Sequence, residues 1–242
     1  MKQSTETTTI AVAIVCKTPQ PGQSKTRLSP PLQPDECADL SACFIQDLAR
    51  TVATLARAGD VNGYALYTPI GTEARLRTLL PDGFAIHPQE GDGFGERLLY
   101  GTRDLLVDHA GAILINSDSP TMPLAILRAA VDALKSGDNV VLSPAADGGY
   151  TLIGLSRLHA RLFEDIPWST SVVHRLTMER AAEIGLNVVS VPGWYDVDDA
   201  ASLQMLEDEF AGRRPSFAEA MGADAPATRR FLAARNRQVV RA

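Results

Sequence analysis

The sequence predicts an α/β domain built on a parallel sheet. Apolar runs of strand length alternate with longer segments of helical period along most of the 242 residues, which is the pattern of repeated βαβ units. Apolar residues make up 45% of the chain and charged ones 21%, enough hydrocarbon for a sizeable core and too little charge for disorder. No internal repeat or low-complexity linker divides the sequence before Ala211, which favours one large domain.

The elements follow one another with turn residues between them. A buried strand is predicted at 10–16, and a long helix at 34–58, begun by a Pro-Asp-Glu run and ended by Gly59. Strands are predicted at 63–68, 84–87, 112–116 and 187–191, and residues 140–143 and 150–155 form two strands, or one broken strand, around a tight turn. Helices are predicted at 72–80, 94–107, 123–135, 171–184 and 199–210, the last of them capped by Asp198 or Asp199.

The composition excludes several classes of protein. The net charge of −6 argues against a general nucleic-acid coat, and the longest apolar run is far shorter than the roughly 20 residues that span a bilayer. The polar N-terminus has neither the apolar region nor the cleavage site of a signal peptide, so we expect a cytoplasmic protein. Cys16, Cys37 and Cys43 are odd in number and form no C-x-x-C pair, which predicts reduced structural thiols.

The two ends of the chain differ from its middle. Residues 1–9 are expected to be a disordered tail, 10–210 the folded domain, and 211–242 an extension that is either a docked helix or loose. From Thr228 onwards the extension contains no acid and has the basic residues Arg229, Arg230, Arg235, Arg237 and Arg241. A solvated basic face is the favoured interpretation of these arginines.

Ligands of open α/β sheets bind beyond the carboxyl ends of the strands, and the first such loop is rich in cations. It reads KTPQPGQSKTRL from residue 17. Its glycine and prolines keep the loop non-helical, while Lys17, Lys25 and Arg27 gather positive charge where backbone N–H groups are also free. This arrangement suits a diphosphate, and the alternative is a solvated basic loop. A Walker P-loop is excluded, because Ser24 and Pro19 stand where that motif requires glycine.

Acidic residues follow two other predicted strands. In NSDSPTMP, Asp118 lies at a strand end, where a carboxylate can hold a hard divalent cation; the alternative is that it caps the turn into the next helix. In GWYDVDD, alternation places Asp196 and Asp198 on one side of an extended segment, so that one of them can complete a metal site opposite Asp118. Simple capping of the last helix is the alternative here, and it leaves Asp196 unexplained.

Two glycine-rich segments are further candidates. Gly148 and Gly149 let the backbone approach a ligand, and Asp147 can accept hydrogen bonds from substrate hydroxyls, although an ordinary Asp-Gly hairpin turn competes with this interpretation. The segment GDGFGER is not a dinucleotide fingerprint, because Glu96 stands where its last glycine belongs, but contact with a base or ribose remains open. The four histidines lack ligand spacing, and no G-x-S-x-G elbow indicates a serine hydrolase.

Six ordered motifs carry a resemblance to a known family. They are K-T-P-x-P-G-x-S-K-T-R-L, G-D-G-F-G-E-R-L, N-S-D-S-P-T-M-P, P-A-x-D-G-G-Y-x-L-I-G-L, P-W-S-T and D-V-D-D-A-x-S-L. From about residue 10 to 210 the chain resembles the bacterial DUF2064 family, also called rSAM-associated transferase 1, a nucleotide-diphospho-sugar transferase-like group of the glycosyltransferase A superfamily. It departs from the common pattern at Asn116-Ser117 and at Asp199, and neither change removes a predicted ligand. The absence of an L-x-G-G-x-S-x-R-M loop weakens an assignment to the sugar nucleotidyltransferases.

The resemblance implies a three-layer α/β/α, Rossmann-like glycosyltransferase A fold with a mostly parallel mixed sheet. It places the nucleotide over the first loop and Mg²⁺ or Mn²⁺ on the Asp118 loop. The predicted catalytic residues are Lys25, Arg27 and Asp118, and the predicted metal ligands are Asp118, Asp196 and Asp198. The predicted nucleotide-binding residues are Lys17, Pro21, Gly22, Lys25, Arg27, Gly93, Gly95, Arg97 and Ser117. The predicted substrate-binding residues are Asp147, Gly148, Gly149, Tyr150 and Trp168.

Three functional hypotheses follow. The leading one is metal-dependent glycosyl transfer from a nucleotide-diphospho-sugar to a small acceptor, with the cations holding the leaving diphosphate. The second is nucleotidyl transfer from a nucleoside triphosphate to a phosphorylated acceptor, similar to molybdenum-cofactor or phospholactate guanylyltransferases. The third is a regulatory nucleotide-binding module with a degenerate site, against which the intact acidic residues count. A homodimer is left open, and no nucleic-acid partner is expected.

Overall fold

The computed structural model describes residues 8–239 and contains a seven-stranded sheet in the order β3-β2-β1-β4-β6-β5-β7. The strands are β1 Ile10–Lys17, β2 Val61–Thr68, β3 Ala85–Pro88, β4 Gly111–Asn116, β5 Asn139–Pro144, β6 Tyr150–Leu155 and β7 Asn187–Ser190. All neighbouring strands are parallel except β6, which runs antiparallel to β4 and β5. The sheet is therefore mixed and mostly parallel, as predicted.

Helices connect the strands and cover both faces of the sheet. They are α1 Pro34–Ala56, α2 Glu73–Arg77, α3 Phe94–Leu105, α4 Leu124–Lys135, α5 Val173–Glu183, α6 Ala200–Phe210 and α7 Pro226–Val239. Two short 3₁₀ turns, at Thr26–Leu28 and Ala160–Phe163, were not predicted, because segments of three or four residues have no measurable period. Each of the six predicted helices is present and shorter than predicted, as expected where the terminal turns tighten or fray.

Alternation along β1 divides the core into two layers. Ile10, Val12 and Ile14 face the layer that contains the buried faces of α1, α4 and α6. Ala11 and Ala13 face the layer that contains α3 and α5, where small side chains let these elements approach closely. The three-layer α/β/α arrangement predicted from the sequence is confirmed.

The structure decides two questions that the sequence left open, namely whether residues 140–143 and 150–155 form one strand or two, and which aspartate caps α6. Residues 139–144 and 150–155 are two antiparallel strands, and Gly148 in the turn between them has φ +90°, a conformation that favours glycine. Asp199 caps α6, since its Oδ1 accepts a hydrogen bond of 2.8 Å from the backbone N–H of Ser202. Asp198 is thereby left for another role.

The C-terminal extension includes a helix that packs on α1. The carboxylate of Asp47, a buried α1 residue, accepts hydrogen bonds from Ala227 N at 3.0 Å, Thr228 N at 2.8 Å and Thr228 Oγ1 at 2.7 Å. These bonds satisfy backbone donors at the start of α7. Most of the predicted N-terminal tail, and Arg241, lie outside the described residues. Among residues 8–239 no helix is long and apolar enough to cross a membrane.

Candidate active site

A cavity of about 480 Å³ opens where the carboxyl ends of β1 and β4 meet. Lys17 and Asn116 end these two strands, and the antiparallel strand β6 contributes its first residue, Tyr150, to the same edge. The other lining residues are Val15, Gln23, Ser24, Lys25, Thr26, Arg27, Ser41, Phe94, Leu98, Leu114, Ser117, Asp118, Asp147, Gly149, Ile153, Trp168, Ser169, Thr170, Val173, Asp196 and Asp198. The cavity thus lies where ligands of open α/β sheets bind.

Lys25 is the central contact of this cavity. Its ammonium Nζ lies 2.8 Å from Asp118 Oδ1, 2.8 Å from Asp198 Oδ1 and 2.7 Å from the carbonyl oxygen of Val197. The Lys25 side chain is only 5% exposed. Burial alone would lower its pKa, but the two carboxylates outweigh that effect and raise the pKa, so the amine stays charged.

The local backbone aims Lys25 inward. Gly22 and Lys25 both have positive φ, +71° and +50°, and the second value is uncommon for a residue with a Cβ. The loop is further fixed by a hydrogen bond of 3.1 Å from Gln20 N to Ser24 Oγ. Left-handed backbone at a non-glycine residue is strained, and such strain is concentrated at functional sites.

The loops that carry the acidic residues are bonded directly to each other. The backbone N–H of Val197 donates to the carbonyl oxygen of Asp118 at 2.8 Å. Asp196 accepts from Ser119 Oγ at 2.6 Å and from Asn116 Nδ2 at 3.2 Å. Burial, with a contribution from the neighbouring carboxylates, raises the pKa of Asp196 to about 7. Its oxygens thus join the two loops instead of pointing at Lys25.

Glu209 of α6 ties the same loops together from behind the cavity. It is 3% exposed, and its Oε2 accepts hydrogen bonds from Thr121 Oγ1 at 2.8 Å and Tyr195 Oη at 2.6 Å. Its Oε1 accepts from the backbone N–H of Gly222, in the C-terminal extension, at 2.7 Å. Burial and the bond to Glu209 raise the pKa of Tyr195, which keeps its hydroxyl protonated as the donor. Glu209 therefore fixes both acidic loops through residues close to Asp118 and Asp198.

The two remaining cations of the first loop have a different environment. Lys17 and Arg27 are exposed and line the cavity, and within the described residues neither forms an ion pair. Ser117, also on the wall, donates to Asp118 Oδ1 at 3.2 Å. The predicted cluster of three cations is thus divided into one ammonium paired with carboxylates and two that face the open cavity.

Apolar and aromatic side chains form the other part of the cavity. Phe94 and Trp168 pack edge to face with ring centroids 5.4 Å apart. Leu98, Ile153 and Val173 add aliphatic surface beside them. The lining cations Lys17, Lys25 and Arg27 all belong to the first loop, whereas these apolar side chains come from other segments.

Several predicted site residues shape the cavity without lining it. Gly93 caps α3, and Arg97 Nε donates to the carbonyl oxygen of Gly91 at 3.2 Å. A Cβ on Gly95 would lie 2.5 Å from Trp168 Nε1, and one on Gly148 would collide with the carbonyl oxygen of Ser171. Pro21 and Gly22 are exposed, and they too are absent from the wall.

The donor set around Lys25 fits a hard divalent cation. Within residues 8–239 no group of three or more His, Cys, Asp and Glu side chains is arranged to hold a metal. Oxygens of Asp118, Asp198 and the Val197 carbonyl nevertheless converge on one point, and oxygen is the ligand that Mg²⁺ and Mn²⁺ prefer. A metal could take this point only after the Lys25 ammonium leaves it. Asp196 is not part of this set.

Sequence reasoning missed the residues that support the site. Glu209 and Asp47 lie on the buried faces of α6 and α1, and each accepts three hydrogen bonds from other segments. A carboxylate on an otherwise apolar helix face was the available signal. Ser119 and the Val197 carbonyl gave none, because a serine in a loop and a backbone oxygen are common to every protein.

Comparison with solved structures places the chain among nucleotide-using enzymes of one fold. A protein from Desulfovibrio desulfuricans G20, provisionally described as a nucleotide-diphospho-sugar transferase, is 28% identical with a TM-score of 0.78, over 95% of this chain and 97% of that one. A cytidylyltransferase from Leptospira borgpetersenii is 10% identical with a TM-score of 0.53, over 96% and 95% of the two chains. Glucosyl-3-phosphoglycerate synthase from Mycobacterium tuberculosis, solved with Mn²⁺, UDP and glucosyl-3-phosphoglycerate, is 14% identical with a TM-score of 0.50, over 86% and 81%.

The predicted glycosyltransferase A fold is confirmed by these matches. No curated protein matches the chain. Residues 51–170 match the model of the family described as "Uncharacterized protein conserved in bacteria (DUF2064)". That segment contains four of the six ordered motifs in full and ends at Thr170, the last residue of P-W-S-T. This match and the extensive similarity to the D. desulfuricans structure support the resemblance of the chain to the DUF2064 family.

Proposed function

We propose that the protein is a metal-dependent transferase that moves a glycosyl group from a nucleotide-diphospho-sugar to a small, uncharged acceptor. The division of the cavity carries this proposal. One part contains Lys17, Arg27 and the oxygens around Lys25, which are suited to a diphosphate and a cation. The aromatic and aliphatic side chains of the wall belong to other segments than the cationic loop, and such surface suits a neutral molecule. The likeness to the D. desulfuricans protein supports the same class of donor.

The chain's own residues have distinct tasks in this reaction. Lys17 and Arg27 bind the phosphate oxygens of the donor and hold them as charge develops on the leaving diphosphate. Asp118 and Asp198 hold Mg²⁺ or Mn²⁺, which supplies further positive charge at the same place. Trp168 and Phe94 give the acceptor a rigid face and exclude water from it. Asp147 can orient an acceptor hydroxyl by accepting its hydrogen bond.

Nucleotidyl transfer is the second candidate, and the three cationic side chains on the wall favour it. A nucleoside triphosphate needs at least as much positive charge as a diphosphate, and Lys17, Lys25 and Arg27 could all contact it once Lys25 is released. A nucleotidyltransferase of this kind also needs to hold the phosphate of its acceptor. Among the described lining residues every cation belongs to the first loop, which leaves none on another segment for that phosphate, and glycosyl transfer is therefore the leading proposal.

Thermal unfolding with candidate donors distinguishes these proposals. We expect UDP-sugars or GDP-sugars with Mn²⁺ to raise the unfolding temperature by roughly 5–10 °C at about 100 times the dissociation constant. Stabilisation by a nucleoside triphosphate and by no sugar nucleotide would favour the second candidate. Absence of any metal-dependent shift would refute both candidates and favour a nucleotide-binding module.

The metal assignment has its own variant. Asp118→Asn should abolish the Mn²⁺-dependent part of the shift, because it removes one of the two carboxylates that converge on the cation position. Asp132→Asn is the matched control, since Asp132 is an exposed carboxylate on α4 that does not line the cavity. Undiminished Mn²⁺ dependence in Asp118→Asn would refute the assignment of Asp118.

A further inference from the structure

We propose that the ammonium group of Lys25 fills the divalent-cation position of this site until nucleotide phosphates draw it away. Metal would then bind tightly only together with the nucleotide. The inference rests on the proposed function, because it takes a metal and a nucleotide to be the ligands of the cavity. It concerns a property that this function does not require, namely the order and coupling of their binding.

The contacts of Lys25 are those of a bound cation. Nζ lies at nearly equal distances, 2.7–2.8 Å, from three oxygens that belong to Asp118, Val197 and Asp198. A divalent ion at the same point would have to use them, and it would meet the ammonium at a separation where two cations repel strongly. The two occupants therefore exclude each other.

The charges around the site favour exchange over simple addition. Two carboxylates paired with one ammonium retain a net negative charge, whereas the same pair with a divalent ion is neutral. The released ammonium then needs a new partner, and the other charged side chains of its own loop are the cations Lys17 and Arg27. Nucleotide phosphates would provide that partner at the same end of the cavity.

The side chain of Lys25 is suited to such a movement. Lysine carries a compact charge on a flexible four-carbon stem, so its Nζ can move by several ångströms through rotation of side-chain bonds alone. The adjacent loop residues Gln23, Thr26 and Arg27 are exposed, and they leave space on the cavity side. Arginine would be a poor substitute, because its planar guanidinium would hold two carboxylates in a fixed fork.

The consequence is positive coupling between metal and nucleotide. A nucleotide that removes Lys25 from the carboxylates raises the affinity for metal, and metal must raise the affinity for nucleotide by the same factor. Ligand-free protein should accordingly bind Mn²⁺ weakly, even though it has a complete set of oxygen ligands.

Mn²⁺ titration followed by electron paramagnetic resonance tests the inference without any assay of activity, because free Mn²⁺ gives the sharper signal. Lys25→Met keeps the apolar stem and removes the ammonium. Without nucleotide, we expect this variant to bind Mn²⁺ at least about tenfold more tightly than the wild type, which corresponds to about 1.4 kcal/mol. Lys17→Met is the matched control, because it removes a cavity cation that does not contact the carboxylates. Its affinity for Mn²⁺ should change by less than about threefold, as expected for an exposed charge.

UDP and GDP complete the experiment. In the wild type, the nucleotide that binds should tighten Mn²⁺ binding at least about tenfold, and in Lys25→Met this coupling should be smaller. Unchanged or weaker Mn²⁺ binding by nucleotide-free Lys25→Met would overturn the inference. If the wild type still binds Mn²⁺ with UDP or GDP, the proposed function survives that result. Absence of Mn²⁺ binding in all variants, with either nucleotide, would instead refute the proposed function. Lys25→Gln, which fills the same space without charge, should reproduce the Lys25→Met result.

Discussion

Replacement of Glu209 should disturb the active site from a distance. Glu209 lies behind the cavity and touches none of the proposed ligands, yet it accepts hydrogen bonds from both acidic loops. Thr121 lies three residues after Asp118, and Tyr195 three residues before Asp198. Glu209→Ala should therefore loosen the two carboxylates that converge on the cation position, and it should also release the extension held through Gly222.

The magnitude follows from the donors that lose their acceptor. Glu209→Ala leaves the Thr121 hydroxyl, the Tyr195 hydroxyl and the Gly222 N–H unpaired, and each such group costs about 1–3 kcal/mol when buried. The hydroxyls lie 3.5 Å apart and can rotate towards each other, and loss of a buried charge offsets part of the cost. We expect a net loss of about 3 kcal/mol in the free energy of unfolding, or roughly 6–12 °C in unfolding temperature.

Glu209→Gln is the discriminating variant. Its amide oxygen can keep the bond to Gly222, while its NH₂ group can donate to the two hydroxyls, which can turn to accept. We expect a loss of about 1 kcal/mol, near the value of one ordinary hydrogen bond.

Urea denaturation gives both free energies, and Mn²⁺-dependent thermal shift with the best nucleotide gives the effect on the site. Glu209→Ala should weaken the Mn²⁺-dependent shift, and Glu209→Gln should largely retain it. Equal destabilisation by the two variants, or a Glu209→Ala protein as stable as the wild type, would refute the reasoning.

Three further predictions concern the scaffold. Asp47→Ala removes the acceptor of three hydrogen bonds from the start of α7. It should lower the free energy of unfolding by about 2–3 kcal/mol and speed amide hydrogen exchange across 226–239. Unchanged exchange in that helix would contradict this prediction. Burial lowers the pKa of His109 below its ordinary 6.5, so the unfolded chain takes up this proton at a higher pH than the folded one. The free energy of unfolding should therefore be highest above about pH 6.5 and fall as the pH drops below that value. Urea titrations at several pH values should find this dependence weaker in His109→Gln. Burial raises the pKa of Cys16 to about 12 and that of Cys43 to about 11, so iodoacetamide at pH 8 should label them only when urea unfolds the protein, as mass spectrometry can establish.

The strands and their order of appearance could be predicted because their signal is local. Residues 10–17 are almost wholly apolar, as a strand covered on both faces must be, and the following helix has its own caps. The antiparallel direction of β6 was not fixed by its own residues, which are as apolar as those of a parallel strand. It depends on the tight turn that Gly148 makes possible. The sequence left open whether residues 140–143 and 150–155 form two strands or one broken strand.

Most residues of the candidate site could be predicted from the sequence, but only some of the contacts between them could. The ends of β1 and β4 are neighbours in the sheet, so cations after one and a carboxylate after the other had to meet. Nothing in the sequence decides whether Lys25 points to a ligand or to Asp118, because that choice depends on a left-handed backbone at Lys25 itself. Glu209 and Asp47 are harder still, since the partners of a buried carboxylate come from segments that only the folded chain brings together.

The balance of charge in the cavity argues that the nucleotide binds weakly without further positive charge. Lys25 is committed to Asp118 and Asp198, which leaves Lys17 and Arg27 as the unpaired cations among the described lining residues. The leaving nucleoside diphosphate carries more negative charge than these two side chains offset, and Asp147 adds to the repulsion on the same wall. A divalent ion that replaces Lys25 between the carboxylates changes this balance twice, because it brings its own charge and frees an ammonium for the phosphates. The same exchange that would delay metal binding in the empty protein would therefore complete the phosphate site in the loaded one.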